Sequence, residues 1–206
     1  NQEILYMGSN FLHRSMNQGQ TWTAISPDLT QGAKEGNVAF GTIAAISESP
    51  LQFGLLYTGS DDGLVHVSKD GGATWNIISG NLPQNRWISR VVASAHKKER
   101  VYVTLNGYRN DDFTTYVYMS DDFGQTWINI ATNLPTSPVN VLVEDNVNED
   151  VLYLGTDNGL YVSLNKGSLW NDFSNGIPNV AVHDLVIQKK AKDLVVGTHG
   201  RSIYKV

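Results

Sequence analysis

Apolar residues in this chain fall in short runs, alternating or β-branched, each closed off by Gly, Asn, Asp or Pro. Such runs predict strands, and the punctuation predicts tight turns between them. No window sustains the 3.6-residue period of a helix. The runs also recur in a fixed order. A first type comprises "GTIAAISES" from Gly41, "SRVVASAH", "VNVLVEDN" and "VHDLVIQKK". A second comprises "ILYMGS", "LLYTGS" from Leu55, "VYVTLN", "VLYLGT" and "LVVGTH". A third is "LHRSM", "LVHVSKD", "YVYMSDD", "LYVSLN" and "RSIYKV", and a fourth is "WTAIS", "WNIIS", "WINIA" and "WNDFS".

Between the third and fourth runs lies a recurrent eight-residue box. It reads "SMNQGQTW" to Trp22, "SKDGGATW" to Trp75, "SDDFGQTW" to Trp127 and "SLNKGSLW" to Trp170, in steps of 53, 52 and 43 residues. Four antiparallel strands per repeat of this length predict a propeller blade. The expected fold is therefore all-β, a β-propeller of four-stranded antiparallel blades, with about four and a half blades present. The repeat divides the chain into a partial blade over 1–36, blades over 37–83, 84–135 and 136–178, and a partial blade over 179–206. Three, four, four, four and three strands give 18 in all. Both end pieces contribute second and third strands, so they cannot merge into one blade. The expectation is a segment of a larger ring, completed by further blades or by another chain, because open end blades expose apolar flanks.

Every position of the box has a structural job that is the same in each copy. Asp70 and Asp122 can accept hydrogen bonds from their own turns, and Asn17 and Asn165 stand in their place elsewhere. Gly72 and Gly124 supply a conformation that a Cβ resists. Thr74 and Thr126 can bond across the loop, with Ser68 and Ser120 opening it. Trp75 and Trp127 are expected to be largely buried between neighbouring sheets. A catalytic site would be expected once rather than four times, so the box reads as scaffolding.

The 206 residues are 17% charged, with a net charge of −5 and no cysteine. Low charge with abundant Gly fits many short strands and turns. The negative balance gives no electrostatic reason to expect nucleic acid. Disulfides and thiolate metal sites are excluded, and no segment is long and apolar enough to span a bilayer as a helix. The histidines His13, His66, His96, His183 and His199 show no metal spacing and are expected on scattered blades; no cofactor is expected.

The pattern Ser-x-Asp-x-Gly-x-Thr-Trp resembles the Asp-box, or BNR, repeat of sialidases, xyloglucan-active glycoside hydrolases and sortilin-like propellers. "LYTGSDDGL", "LYLGTDNGL" and "DLVVGTHGRSIYKV" look most like sortilin-related, glycosyl-hydrolase-labelled propellers of secreted bacterial proteins. The resemblance implies a ring of six or more blades, a secreted, periplasmic or cell-surface setting, and ligands on the face opposite the boxes.

That face carries the second–third connections and the blade links. Asp61, Asp62, Asp111, Asp112 and Asp157 are available there for the paired carboxyl groups of a glycosidase. The same residues in "DDG" and "DNG" also make tight turns. His199 and Arg201 replace those acids in the last repeat: they either contact an anion or a saccharide hydroxyl, or Arg201 pairs with an acid such as Asp157. Tyr108, Arg109 and Trp87 lie in or beside long loops, although Trp87 equally fits the core. His199, Arg201, Tyr108, Arg109, Asp61 and Asp62 are expected to border one concavity. The resulting expectation is a binding or interaction module for a glycan or protein. The rivals are part of a glycoside hydrolase and a purely architectural domain. A sialidase is disfavoured, because the six arginines include no Phe-Arg-Ile-Pro stretch.

Overall fold

The computed structural model describes residues 3–32 and 41–206. Eighteen strands among them form five antiparallel sheets of three, four, four, four and three strands. The first sheet holds β1 (Leu5–Gly8), β2 (Leu12–Ser15) and β3 (Thr23–Ala24). The second holds β4 (Ile43–Glu48), β5 (Leu56–Ser60), β6 (Val65–Ser68) and β7 (Asn76–Ile77), and the third β8 (Trp87–Ala93), β9 (Val101–Asn106), β10 (Tyr116–Ser120) and β11 (Ile128–Asn129). The fourth comprises β12 (Val139–Glu144), β13 (Leu152–Thr156), β14 (Gly159–Ser163) and β15 (Trp170–Asp172), and the fifth β16 (Val182–Ile187), β17 (Leu194–Thr198) and β18 (Ile203–Lys205). Strands pair in sequence order within every sheet, as in a propeller blade. The expected boundary at 36/37 lies outside the described residues.

Each core cluster is a junction between two sheets. Leu55, Tyr57, Val65 and Val67 of the second sheet meet Ile88, Val91, Val103 and Leu105 of the third. Comparable clusters join the first to the second, the third to the fourth and the fourth to the fifth. A sheet covered on both faces buries most of its middle strands: β5, β6 and β9 are buried throughout, and β13 and β14 at all but one position each. The end sheets are covered on one face, so β1 and β18 keep the alternation of half-buried and exposed positions. Close approach between sheets needs small residues at their crossing. A Cβ on Gly155 would lie 2.6 Å from Val182 Cγ1, and one on Gly59 would overlap Ile88 of the next sheet.

Polar locks accompany these cores. Tyr6 and Tyr102, the second residues of β1 and β9, donate to Glu48 and Glu144 at the end of the next sheet's first strand, both at 3.0 Å. Ala93 occupies that glutamate's place at the intervening junction, and the hydroxyl of Tyr57 is there buried without a partner among the described residues.

The box turns repeat one hydrogen-bond set. Asp70 Oδ1 accepts from Ser68 Oγ (2.8 Å) and Thr74 N (2.9 Å), while Gly72 N donates to Ser68 Oγ (2.8 Å). Ser120, Asp122, Gly124 and Thr126 do the same. Asn17 and Asn165 accept from Thr21 N and Leu169 N in the other two copies, so an amide oxygen suffices. Each later box docks one sheet back: the indole N–H of Trp75, Trp127 and Trp170 donates to the carbonyls of Ile25 (2.9 Å), Ile78 (2.7 Å) and Ile130 (2.7 Å). Trp75 and Trp127 pack against the clusters at their sheet junctions, as expected, but not to full burial. Both are half-buried, because their rings lie against fourth strands only two residues long at the outer edge of the sheets. Trp170 is buried, and Trp22, with no earlier sheet among the described residues to cover it, is 38% exposed.

Candidate functional site

The first strands of the second to fifth sheets share an irregularity. Registers with their partners slip by one residue between Ile43 and Ala45, Ile88 and Arg90, Val139 and Val141, and Val182 and Asp184. The skipped residues are Ala44, Ser89, Asn140 and His183. A bulge leaves its extra residue unpaired and re-aims its side chain. In the last two sheets the re-aimed groups, Asn140 and His183, enter a groove of about 470 Å³ on the face opposite the boxes. That volume lies in the range of small-molecule sites.

The groove crosses the third, fourth and fifth sheets. Its floor is a bonded row: Asn106 Nδ2 donates to Asn140 Oδ1 (2.9 Å), and Asn140 Nδ2 donates to Asp157 Oδ1 (2.8 Å). One wall is the loop after β9, where Tyr108, 60% exposed, opens a short 3-10 turn at Tyr108–Asn110. Asn106 Oδ1 accepts from the Tyr108 N–H at 2.9 Å, which ties the loop to the floor. Asp112 secures its far end, accepting from Arg86 Nε (2.8 Å) and Tyr116 Oη (2.9 Å). Burial alone would raise the Asp112 pKa, but the bonds from Arg86, Thr114 and Tyr116 outweigh it and hold the carboxyl well below its usual range. Behind the loop, the Arg109 guanidinium lies over the ring of Trp87, 5.1 Å from its centroid. The facing wall is His183 and His199, edge to face with centroids 5.2 Å apart.

Five of the ligand-face candidates therefore meet: Trp87, Tyr108, Arg109, Asp157 and His199 all line the groove, which Asp111 and Asp112 do not. Trp87 is half-buried, part of the wall rather than of the core. The expected single concavity is corrected for Asp61, Asp62 and Arg201. Asp61 is buried with Oδ1 accepting from Gly41 N (3.0 Å) and Thr42 N (2.9 Å). Asp62 is buried and accepts from Ser60 Oγ and from Gln31 N (2.7 Å), so the pair staples a blade link. Arg201 is exposed outside the groove lining, and Asp157 bonds Asn140 rather than Arg201. The expected scatter of histidines is corrected too, since His183 and His199 are neighbours across β16 and the end of β17. Among the described residues no group of three His, Cys, Asp or Glu is placed to hold a metal ion.

Asn106, Asn140 and His183 were not foreseen. For Asn140 and His183 a signal lies in the aligned repeats: an amide and an imidazole stand where the short side chains of Ala44 and Ser89 occur in "GTIAAISES" and "WISRVVAS". A second concavity, of about 640 Å³, opens on the box face between first–second connections and is lined by Val92, Val143, Val147 and Val186.

A family model, the DUF6242 beta propeller domain, matches residues 1–189. The chain belongs to this family. No curated protein matches it in sequence. Among solved structures, the DUF6242 propeller is similar to the GH74 xyloglucanase of Xanthomonas campestris (TM-score 0.74, 17% identity, 100% of this chain and 34% of that one). The GH74 enzyme of Niastella koreensis gives a TM-score of 0.72 at 22% identity, again over 100% of this chain and 34% of that one. The extracellular domain of BT4673 from B. thetaiotaomicron gives 0.68 at 17% identity, over 98% and 25%. Identities this low establish shared fold alone. The DUF6242 propeller spans about a third of the length of the GH74 enzymes it matches. No helix among the described residues is long and apolar enough to cross a membrane.

Proposed function

We propose that this propeller segment is a glycan-binding module of a secreted or cell-envelope protein, with the groove of the third to fifth blades as its site. The observation that carries the reading is the exposed Tyr108 ring beside the bonded row Asn106–Asn140–Asp157. A sugar ring presents an apolar C–H face and a rim of hydroxyls. An aromatic platform serves the first, and amide and carboxylate groups already fixed by mutual bonds serve the second. The box turns, in the same proposal, are Asp-box repeats of the sialidase and sortilin type, serving as scaffold. Further blades, from the same or another chain, would cover the end sheets.

The test is affinity electrophoresis and calorimetry against a polysaccharide panel that includes xyloglucan. Tyr108→Ala is expected to weaken binding at least tenfold with melting temperature unchanged, and Asn140→Ala, which breaks both bonds of the row, to weaken it as much at a stability cost of about 1–2 kcal/mol. Retained affinity in both variants would remove the groove from consideration.

Likeness to the GH74 enzymes favours a second reading, a share in a glycoside hydrolase. Glycosidases of the usual kind need two carboxyl groups across the scissile bond. Asp157 is the one carboxylate lining the groove among the described residues. A partner for it would come from elsewhere in a longer chain. Release of reducing sugar that disappears in Asp157→Asn would replace the binding reading with the catalytic one.

A further inference from the structure

We infer that the groove selects saccharides bearing an anionic substituent, with Arg109 as the residue that recognises it. This rests on the glycan-binding reading of the same groove.

The argument is one of unmatched charge. The protein carries a net charge of −5, yet the acids around the groove are committed to partners, apart from the exposed Asp111 of the Arg109 loop, which forms no ion pair among the described residues. Asp112 is paired with Arg86 at 2.8 Å, and Asp184 with Arg90 at 2.7 Å. Asp157 already accepts from Asn140. Arg109 forms no ion pair and its guanidinium donates no hydrogen bond among the described residues. Its one partner is the face of Trp87. A cation–π contact occupies no hydrogen-bond acceptor, so the N–H groups of the guanidinium remain to be matched, and its fork suits a carboxylate or sulfate bidentately. Across the groove, the ring nitrogens of His183 and His199 also make no hydrogen bond among the described residues, so they can donate to the same group. A neutral sugar would leave the guanidinium edge unmatched, whereas an anionic one completes it.

Carboxylate and sulfate share this chemistry, and the probes separate them. Retardation of the protein in gels containing polygalacturonate, dextran sulfate, dextran or xyloglucan is compared at 0.15 M salt. Wild type is expected to bind polygalacturonate or dextran sulfate at least tenfold more tightly than the uncharged polymers, against its own net charge. Arg109→Gln should abolish that preference. Arg109→Lys, which keeps the charge but loses the fork, should retain only a minor part of it. Preference for polygalacturonate identifies the carboxylate, and preference for dextran sulfate the sulfate ester. Equal binding of xyloglucan and polygalacturonate, unchanged in Arg109→Gln, overturns the inference while leaving the glycan-binding reading standing. No retardation by any of the four polymers overturns both.

Discussion

The hydroxyl of Tyr102 donates to Glu144 across the junction of the third and fourth sheets, at 3.0 Å, and both residues are buried. Tyr57 holds the same place one blade earlier, with Ala93 at the glutamate's position, and its hydroxyl has no partner among the described residues. Removing the two hydroxyls should therefore have unequal effects. Tyr102→Phe is expected to cost about 1–2 kcal/mol, since the Glu144 carboxylate loses a donor. Tyr57→Phe is expected to be neutral or stabilising, because it deletes a buried group that lacks a bond. Urea denaturation midpoints of the two variants check this, and equal losses would contradict it.

Two glycines with similar backbones offer a second contrast. Gly124 has φ +86° and a Cβ there would overlap Ile78 Cδ1, whereas Gly176 has φ +83° and nothing within 4 Å of its Cβ position. Gly176→Ala should cost only backbone strain, about 1 kcal/mol. Gly124→Ala adds overpacking of about 1–3 kcal/mol at the seat of the box on the preceding blade. Thermal melts of the pair should separate by several degrees.

His66 lies buried in β6 with Nδ1 unpartnered among the described residues, and burial, opposed by nearby Asp62, pushes its pKa from 6.5 to about 4. The unfolded chain takes up this proton near pH 6.5, while the folded chain resists until about pH 4. Stability from this residue is thus complete above pH 6.5 and is lost as the pH falls to 4, by about 3 kcal/mol at most. His66→Leu should flatten the stability profile in that window, measured by denaturation at stepped pH.

A lower window belongs to the boxes. The bonds from Thr126, side chain first and then backbone, hold Asp122 at about 2 instead of 3.8, and Thr74 does the same for Asp70. A depressed carboxyl pKa gives stability that is present above pH 4 and lost as the pH falls toward 2. The double variant Asp70→Asn and Asp122→Asn cannot titrate there, yet keeps the acceptor that Asn17 and Asn165 provide in the other copies. Its melting temperature should fall less between pH 4 and 2 than that of wild type.

The strands and the box turns were legible in the sequence because each is specified locally and written several times. "SDDFGQTW" contains the donors and acceptors of its own turn. The groove was half legible. Tyr108, Arg109 and His199 occupy loops whose position follows from strand order alone. Asn140 and His183 reach it through bulges, and a one-residue slip in pairing leaves no mark on an alternating pattern. Asp61 and Asp62 share loop type and chemistry with Asp157, and only the approach of Gln31 and Gly41 from the blade link decides that they are consumed there. Charge on a loop shows what a residue can bond, and tertiary contact settles what it does.

The indole bonds of Trp75, Trp127 and Trp170 all run backward along the chain, to carbonyls 50, 49 and 40 residues earlier. On a ribosome adding about 5–20 residues per second, such an acceptor leaves the peptidyl-transferase centre roughly 2–10 s ahead of its donor. Each tryptophan is thus synthesised after the seat it will occupy. The growing protein can lay down its blades in the order of translation, as courses of brick are laid, with no bond of this kind waiting on residues still to be made.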